Sequence, residues 1–193
     1  ECTISRIDKD QLKGIGFAMP GPFDYPNGIA LFERVEKYES LYGVNVIDEM
    51  MKRLNLEKDT QIRFINDATS FAIAEAWIGK ASEFERMLAL TLGTGFGSAF
   101  LSKGIPVIEG DLVPQSGCVW HLPFLNGIAD DYFSTRWFVN SFASNTGIVV
   151  HGVKEIADLA DSNPAARELF ATYGTNMGHF LAPWLKKFDA EVV

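Results

Sequence analysis

The sequence predicts an α/β fold, and three observations carry the prediction. Short apolar runs alternate with segments of helical spacing through residues 14–79, which is the signature of strands and helices packed in layers. Two apolar runs then flank a glycine-rich turn at 93–97, as expected of paired strands. The remainder, from 129 onward, has the periodicity of helices with apolar stripes.

Gly14-Ile15-Gly16-Phe17-Ala18-Met19-Pro20 reads as a buried strand, stopped by the turn signal Pro20-Gly21-Pro22. An irregular loop through Asp24 to Gly28 leads to a short strand at 29–32. Apolar residues at 46, 47, 50, 51 and 54 predict a helix over 46–54 with one buried face. Gln61-Ile62-Arg63-Phe64-Ile65 alternates as a strand does. Asn66-Asp67 follow, and 68–79 is an alanine-rich helix carrying Phe71, Ala72, Ala76 and Trp77.

The second block begins near Phe84. The run 87–92 predicts a buried strand, and Ala99-Phe100-Leu101 a second one. A polar, irregular stretch is expected over 103–126, then helices over 129–142 and 153–160. Asn163-Pro164 supplies an N-cap and a first-turn proline for a last helix. Its stripe of Leu169, Tyr173, Met177, Phe180, Trp184 and Phe188 predicts core packing. The expected domains are 1–83, ending in an interdomain helix, and 84–193.

Composition bounds the function classes. The chain has 193 residues, 47% hydrophobic and 22% charged, as in ordinary globular proteins. A net charge of -8 and a pI near 4.9 oppose binding to a nucleic-acid backbone. No run of about eighteen apolar residues marks a membrane span. Cys2 and Cys118 form no CxxC pair, so neither a disulfide framework nor a zinc knuckle is expected, and a reducing cytoplasm suits them. His121, His151 and His179 share no metal-ligand spacing with cysteines or carboxylates. Both ends read as cut, the last residues, 189–193, resembling the start of a strand.

Two places could carry chemistry. The glycines at 93, 95 and 97 can expose backbone N–H groups to a phosphate, or can serve a structural hairpin at positive φ. A strand follows them, which argues against a dinucleotide-binding turn, and no Gly-Lys-Ser/Thr is present for a Walker loop. Asp67 stands where a strand passes into a helix, a usual ligand position in open α/β sheets. Its carboxylate can act as a general base toward a hydroxyl, or can merely cap the helix. Asp130-Asp131 suits the first turn of a helix.

The order Ile15-Gly-Phe-Ala-Met-Pro-Gly-Pro22, Asn66-Asp67-Ala68, Leu92-Gly-Thr-Gly-Phe-Gly97 and Gly117-x-x-x-His121 closely resembles the ROK family over residues 14–134. That family groups bacterial sugar kinases with sugar-responsive repressors. The resemblance implies a partial actin/hexokinase-like (ribonuclease H-like) two-domain fold. It implies ATP and Mg2+ as cofactors, a small-molecule sugar as partner, and a homodimer. By resemblance Asp67 is the base, Asn66 and His121 contact the sugar, and Gly93, Thr94 and Gly95 face ATP phosphates. Asp130 falls, as a shorter carboxylate, at the position of a sugar-binding Glu.

The departures are specific. Cys118 replaces the Glu of the family's Gly-Glu-x-Gly-His element, and the zinc-binding cysteine cluster found in many members has no counterpart between Leu122 and Ala129. The resemblance places an Asp-x-Gly-x-Thr loop upstream of Glu1 and an adenosine-contacting Gly-Gly after Val193, so the piece alone is expected to be inactive. The reading depends on Asp67 and the glycine turn facing each other across a cleft. Its rival is a sugar-sensing transcriptional regulator of the same family.

Overall fold

The computed structural model describes residues 12–33 and 38–193. Cys2 lies outside them. The chain divides into two compact units, one up to Ser70 and one from Phe71 to Val193.

In the first unit, β1 (Gly14–Met19) pairs in parallel with β4 (Gln61–Asn66), in a register from Gly14 opposite Gln61 to Met19 opposite Asn66. Between them come a small antiparallel pair, β2 (Phe23–Asp24) and β3 (Ile29–Ala30), and α1 (Val46–Leu54). The helix starts at Asn45, whose side chain accepts from the Asp48 N–H. β1 is not buried as its apolar composition suggests. Gly14, Gly16 and Ala18 face solvent, while Ile15, Phe17 and Met19 are half-buried, because among the described residues β1 pairs with β4 alone and one face of the pair is covered. That covered face holds Phe64, stacked on Phe17 and tilted against Phe23 at 5.0 Å. Gly28 is fixed by this packing. Its φ is +69°, and a side chain there would come within 2.7 Å of Ile47.

The second unit is built on β5 (Arg86–Leu92) and β6 (Phe96–Ser102), an antiparallel hairpin extended by β7 (Ile105–Pro106). On the other side of β5, Val192 bridges Met87 in parallel, which bears out the strand-like reading of the last residues. Both strands are continuous apolar runs because the sheet is covered on both faces. Leu88, Phe96 and Phe100 face one core with Val119, Phe133, Phe180 and Phe188. Met87, Ala89, Ala99 and Leu101 face the other, closed by Ala72 and Ala76 of α2 (Asp67–Trp77), whose small side chains permit close approach.

The expected helix over 129–142 is two helices, α3 (Ala129–Phe133) and α4 (Thr135–Thr146), separated by extended backbone at Ser134. Phe133 belongs to the core beneath the sheet, whereas Phe138 and Phe142 join a further cluster with Ile156 and Leu169. One straight helix cannot serve both clusters. The stretch 103–126 is also less irregular than expected. It contains β7, a 3-10 turn at Gln115–Gly117 and β8 (Pro123–Phe124), which pairs with β9 (Gly127–Ile128). After α5 (Val153–Leu159), α6 (Pro164–Phe188) runs from an Asn163 cap, and Leu169, Phe180 and Phe188 of its stripe are buried as expected. Among the described residues, no helix is long and apolar enough to cross a membrane.

Candidate functional site

Asn66 and Asp67 sit at the junction of β4 and α2. The helix begins at Asp67, one residue before the predicted start, and Asn66 is its cap. Asn66 Oδ1 accepts from the Thr69 N–H at 3.1 Å, which satisfies a donor that the helix leaves free. Asn66 Nδ2 donates to Tyr25 Oη at 3.2 Å, and Tyr25 donates in turn to the Met19 carbonyl. Asp67 Oδ1 accepts from the Ala68 N–H at 2.9 Å and from Asn66 Nδ2 at 3.2 Å. Its Oδ2 has no partner among the described residues, and the side chain is exposed. The neighbour does the capping. Sequence reasoning missed Tyr25, whose role depends on a contact 41 residues away.

The glycine turn closes the β5–β6 hairpin with Leu92 opposite Phe96. None of its glycines is at positive φ. The Gly93 N–H donates to the Gly95 carbonyl at 3.2 Å, while the Thr94 and Gly95 N–H groups have no partner among the described residues. Gly93, Thr94 and Gly95 are exposed, and a Cβ on Gly93 would meet nothing within 4 Å. Two free donors and the Thr94 hydroxyl on an open turn fit the oxygens of a phosphate.

Asp130 lies directly behind this turn. Its Oδ1 accepts from the Phe96 N–H at 2.6 Å, and its Oδ2 accepts from Arg136 at 3.3 Å. The helix-capping role expected of the acidic pair belongs to Asp131, which accepts from the Ile128 N–H at 3.0 Å. A second bond ties the turn to α4, the Thr135 N–H donating to the Gly93 carbonyl at 2.8 Å.

His121 is half-buried on the segment before β8. Its Nδ1 lies 3.7 Å from Cys118 Sγ, and Trp120 meets the imidazole ring edge-on. Burial pushes the Cys118 thiol above its usual range, against an opposing pull from a hydrogen bond with Trp120, so the group is a neutral thiol near pH 7. Gly117 is required here. Its φ is +61°, and a Cβ would fall 2.3 Å from the Val107 carbonyl oxygen. The segment is anchored at both ends, because the Val119 N–H donates to Ser98 Oγ of β6 and the Asp130 N–H to the Trp120 carbonyl. The segment that carries His121 is therefore bonded to Asp130 through the Trp120 carbonyl, and Asp130 to the glycine turn through the Phe96 N–H, all within the second unit. Asn66 and Asp67 form their own group in the first.

The ROK family model matches residues 5–117. A glucokinase of Thermotoga maritima is 31% identical over 104 residues, which is 54% of this chain and 31% of that protein. A ROK family glucokinase from Streptomyces griseus, solved in complex with glucose and AMPPNP, superposes with a TM-score of 0.73 at 19% identity, covering 99% of this chain and 69% of the other. A ROK family transcriptional regulator, a homologue of the Escherichia coli MLC protein, superposes at 0.75 with 17% identity, covering 99% and 51%. The chain thus spans about a third of the length of the curated relative it matches.

Proposed function

Because the chain belongs to the ROK family, we propose that it is the core of an ATP-dependent sugar kinase, acting on a hydroxyl of a hexose or amino sugar. The supporting observation is the division of labour at the head of α2. Asn66 caps the helix, so Asp67 keeps an exposed carboxylate oxygen to accept the hydroxyl proton. Asn66, held by Tyr25, and His121, held beside Cys118, contact the sugar in this reading. Thr94 and Gly95 offer N–H donors without a partner among the described residues to the phosphates, and Gly93, bonded to the Gly95 carbonyl, shapes the turn that faces them. ATP supplies the phosphoryl group, and magnesium offsets its charge. Phosphoryl transfer asks the protein mainly to position groups and stabilise charge, which these residues suit. The same family likeness supports a homodimer.

The test is ADP release by the full-length protein given ATP and a panel of hexoses and amino sugars. Turnover is expected, and Asp67→Asn is expected to lower it by about 10²–10⁴-fold while sugar binding persists. A protein without turnover on any sugar, or one indifferent to Asp67→Asn, overturns the kinase reading.

One observation favours a second reading, a sugar-sensing regulator. The neutral Cys118 thiol beside His121 is a weak hydrogen-bond partner, poorly suited to fixing a sugar for reaction. Sugar binding without ADP release would select it.

A further inference from the structure

The resemblance assigns Asp130 to the sugar, yet both of its oxygens are directed elsewhere. We infer that Asp130 is a positioning residue for the glycine turn, holding the backbone that receives the phosphates.

The turn is fastened at each end. After it, the Phe96 N–H donates to Asp130 Oδ1 at 2.6 Å, a short bond to a charged acceptor. Before it, the Gly93 carbonyl accepts from the Thr135 N–H at 2.8 Å. That donor is available because the chain is extended at Ser134, so Thr135 opens a new helix rather than continuing α3. Between these fastenings the backbone lies against the carboxylate, since a Cβ on Gly95 would come within 3.1 Å of Asp130 Oδ1. Glycine at 95 thus lets the turn sit on its support.

The charge arrangement suits the role. A bare carboxylate behind a phosphate-binding turn would repel its ligand. Arg136, 3.3 Å from Asp130 Oδ2 and largely exposed, balances that charge and keeps the carboxylate in place. The Thr94 and Gly95 N–H groups have no partner among the described residues, and both residues are exposed.

The kinetic part of this inference rests on the kinase reading, and its structural part does not. The experiment therefore measures two things on the full-length protein, for wild type, Asp130→Ala and Asp130→Asn. The first is amide hydrogen exchange by NMR. In Asp130→Ala the Phe96 amide is expected to exchange about tenfold faster or more, with the Phe100 amide of the same strand unchanged. Asp130→Asn, which keeps an acceptor oxygen, is expected to restore part of the protection. The second is steady-state kinetics. Asp130→Ala is expected to raise the KM for ATP about tenfold and leave the sugar KM within about twofold.

An unchanged Phe96 amide overturns the inference, as does one that quickens together with Phe100. So does a rise confined to the sugar KM, which would return Asp130 to the sugar. A wild-type protein without turnover overturns the kinase reading alone, and the exchange data still decide the role of Asp130.

Discussion

The Asn66 side chain caps α2 through the Thr69 N–H at 3.1 Å while its amide nitrogen donates to Tyr25 at 3.2 Å. One side chain thus ties the start of the helix to the loop after β1, and relieves Asp67 of that task.

Asn66→Ala is expected to destabilise the protein by about 1 kcal/mol, the usual cost of losing a cap. Asn66→Asp, which keeps the acceptor, should recover most of it. Urea unfolding of the variants checks both.

Gly117→Ala should cost more. It combines a backbone at φ +61° with a methyl group 2.3 Å from the Val107 carbonyl oxygen. A loss of about 3 kcal/mol is expected, because neither strain nor contact can relax without moving β7 or the 3-10 turn. Thermal unfolding of Gly117→Ala beside Gly110→Ala provides the comparison, since Gly110 also has positive φ but an open surround.

Tyr173 gives a pH signature. Burial lifts its hydroxyl from the ordinary value of 10.0 to about 12, and the neutral phenol donates to the Phe133 carbonyl at 3.2 Å. A raised folded-state pKa contributes stability that is fully present below the unfolded value and is lost as pH rises through the folded one. The stability difference between wild type and Tyr173→Phe should therefore be constant below pH 10 and shrink toward pH 12. Paired denaturation curves across that range measure it.

Cys118 should be a slow nucleophile. With its pKa raised by burial, little thiolate exists near neutrality. Labelling by a thiol-reactive disulfide at pH 7.5 is expected to run several-fold slower than for a free cysteine, with the rate still climbing above pH 9. A plateau below pH 8 would show instead that His121 activates the thiol.

Much of the fold was legible because its signals are local. The apolar spacing of 46–54 marked the bounds of α1, although its apolar face is half-buried rather than buried, Asn163-Pro164 marked the start of α6, and the glycine turn lay between β5 and β6 as expected. What was hidden depends on distant partners. Nothing near Ser134 announces a break, because its cause is that Phe133 and Phe138 must reach different cores. The exposure of β1 depends on what covers a sheet, which composition does not encode.

The site divides in the same way. Asn66, Asp67 and the glycine turn were legible as residue types at element junctions. Which of Asn66 and Asp67 caps the helix was not, nor was the direction of the Asp130 carboxylate, since Phe96 is 34 residues away. Arg136 offered no pattern at all.

The segment after α6 has a consequence for how the second unit comes apart. The Leu88 N–H donates to the Val192 carbonyl, the Glu191 N–H to the Arg86 carbonyl, and Glu191 Oε2 accepts from the Glu85 and Arg86 N–H groups. The longest helix is thereby stitched to β5, so neither can fray without loosening the other. The two should melt as a single cooperative block, with amide protection in α6 rising and falling in step with that of β5.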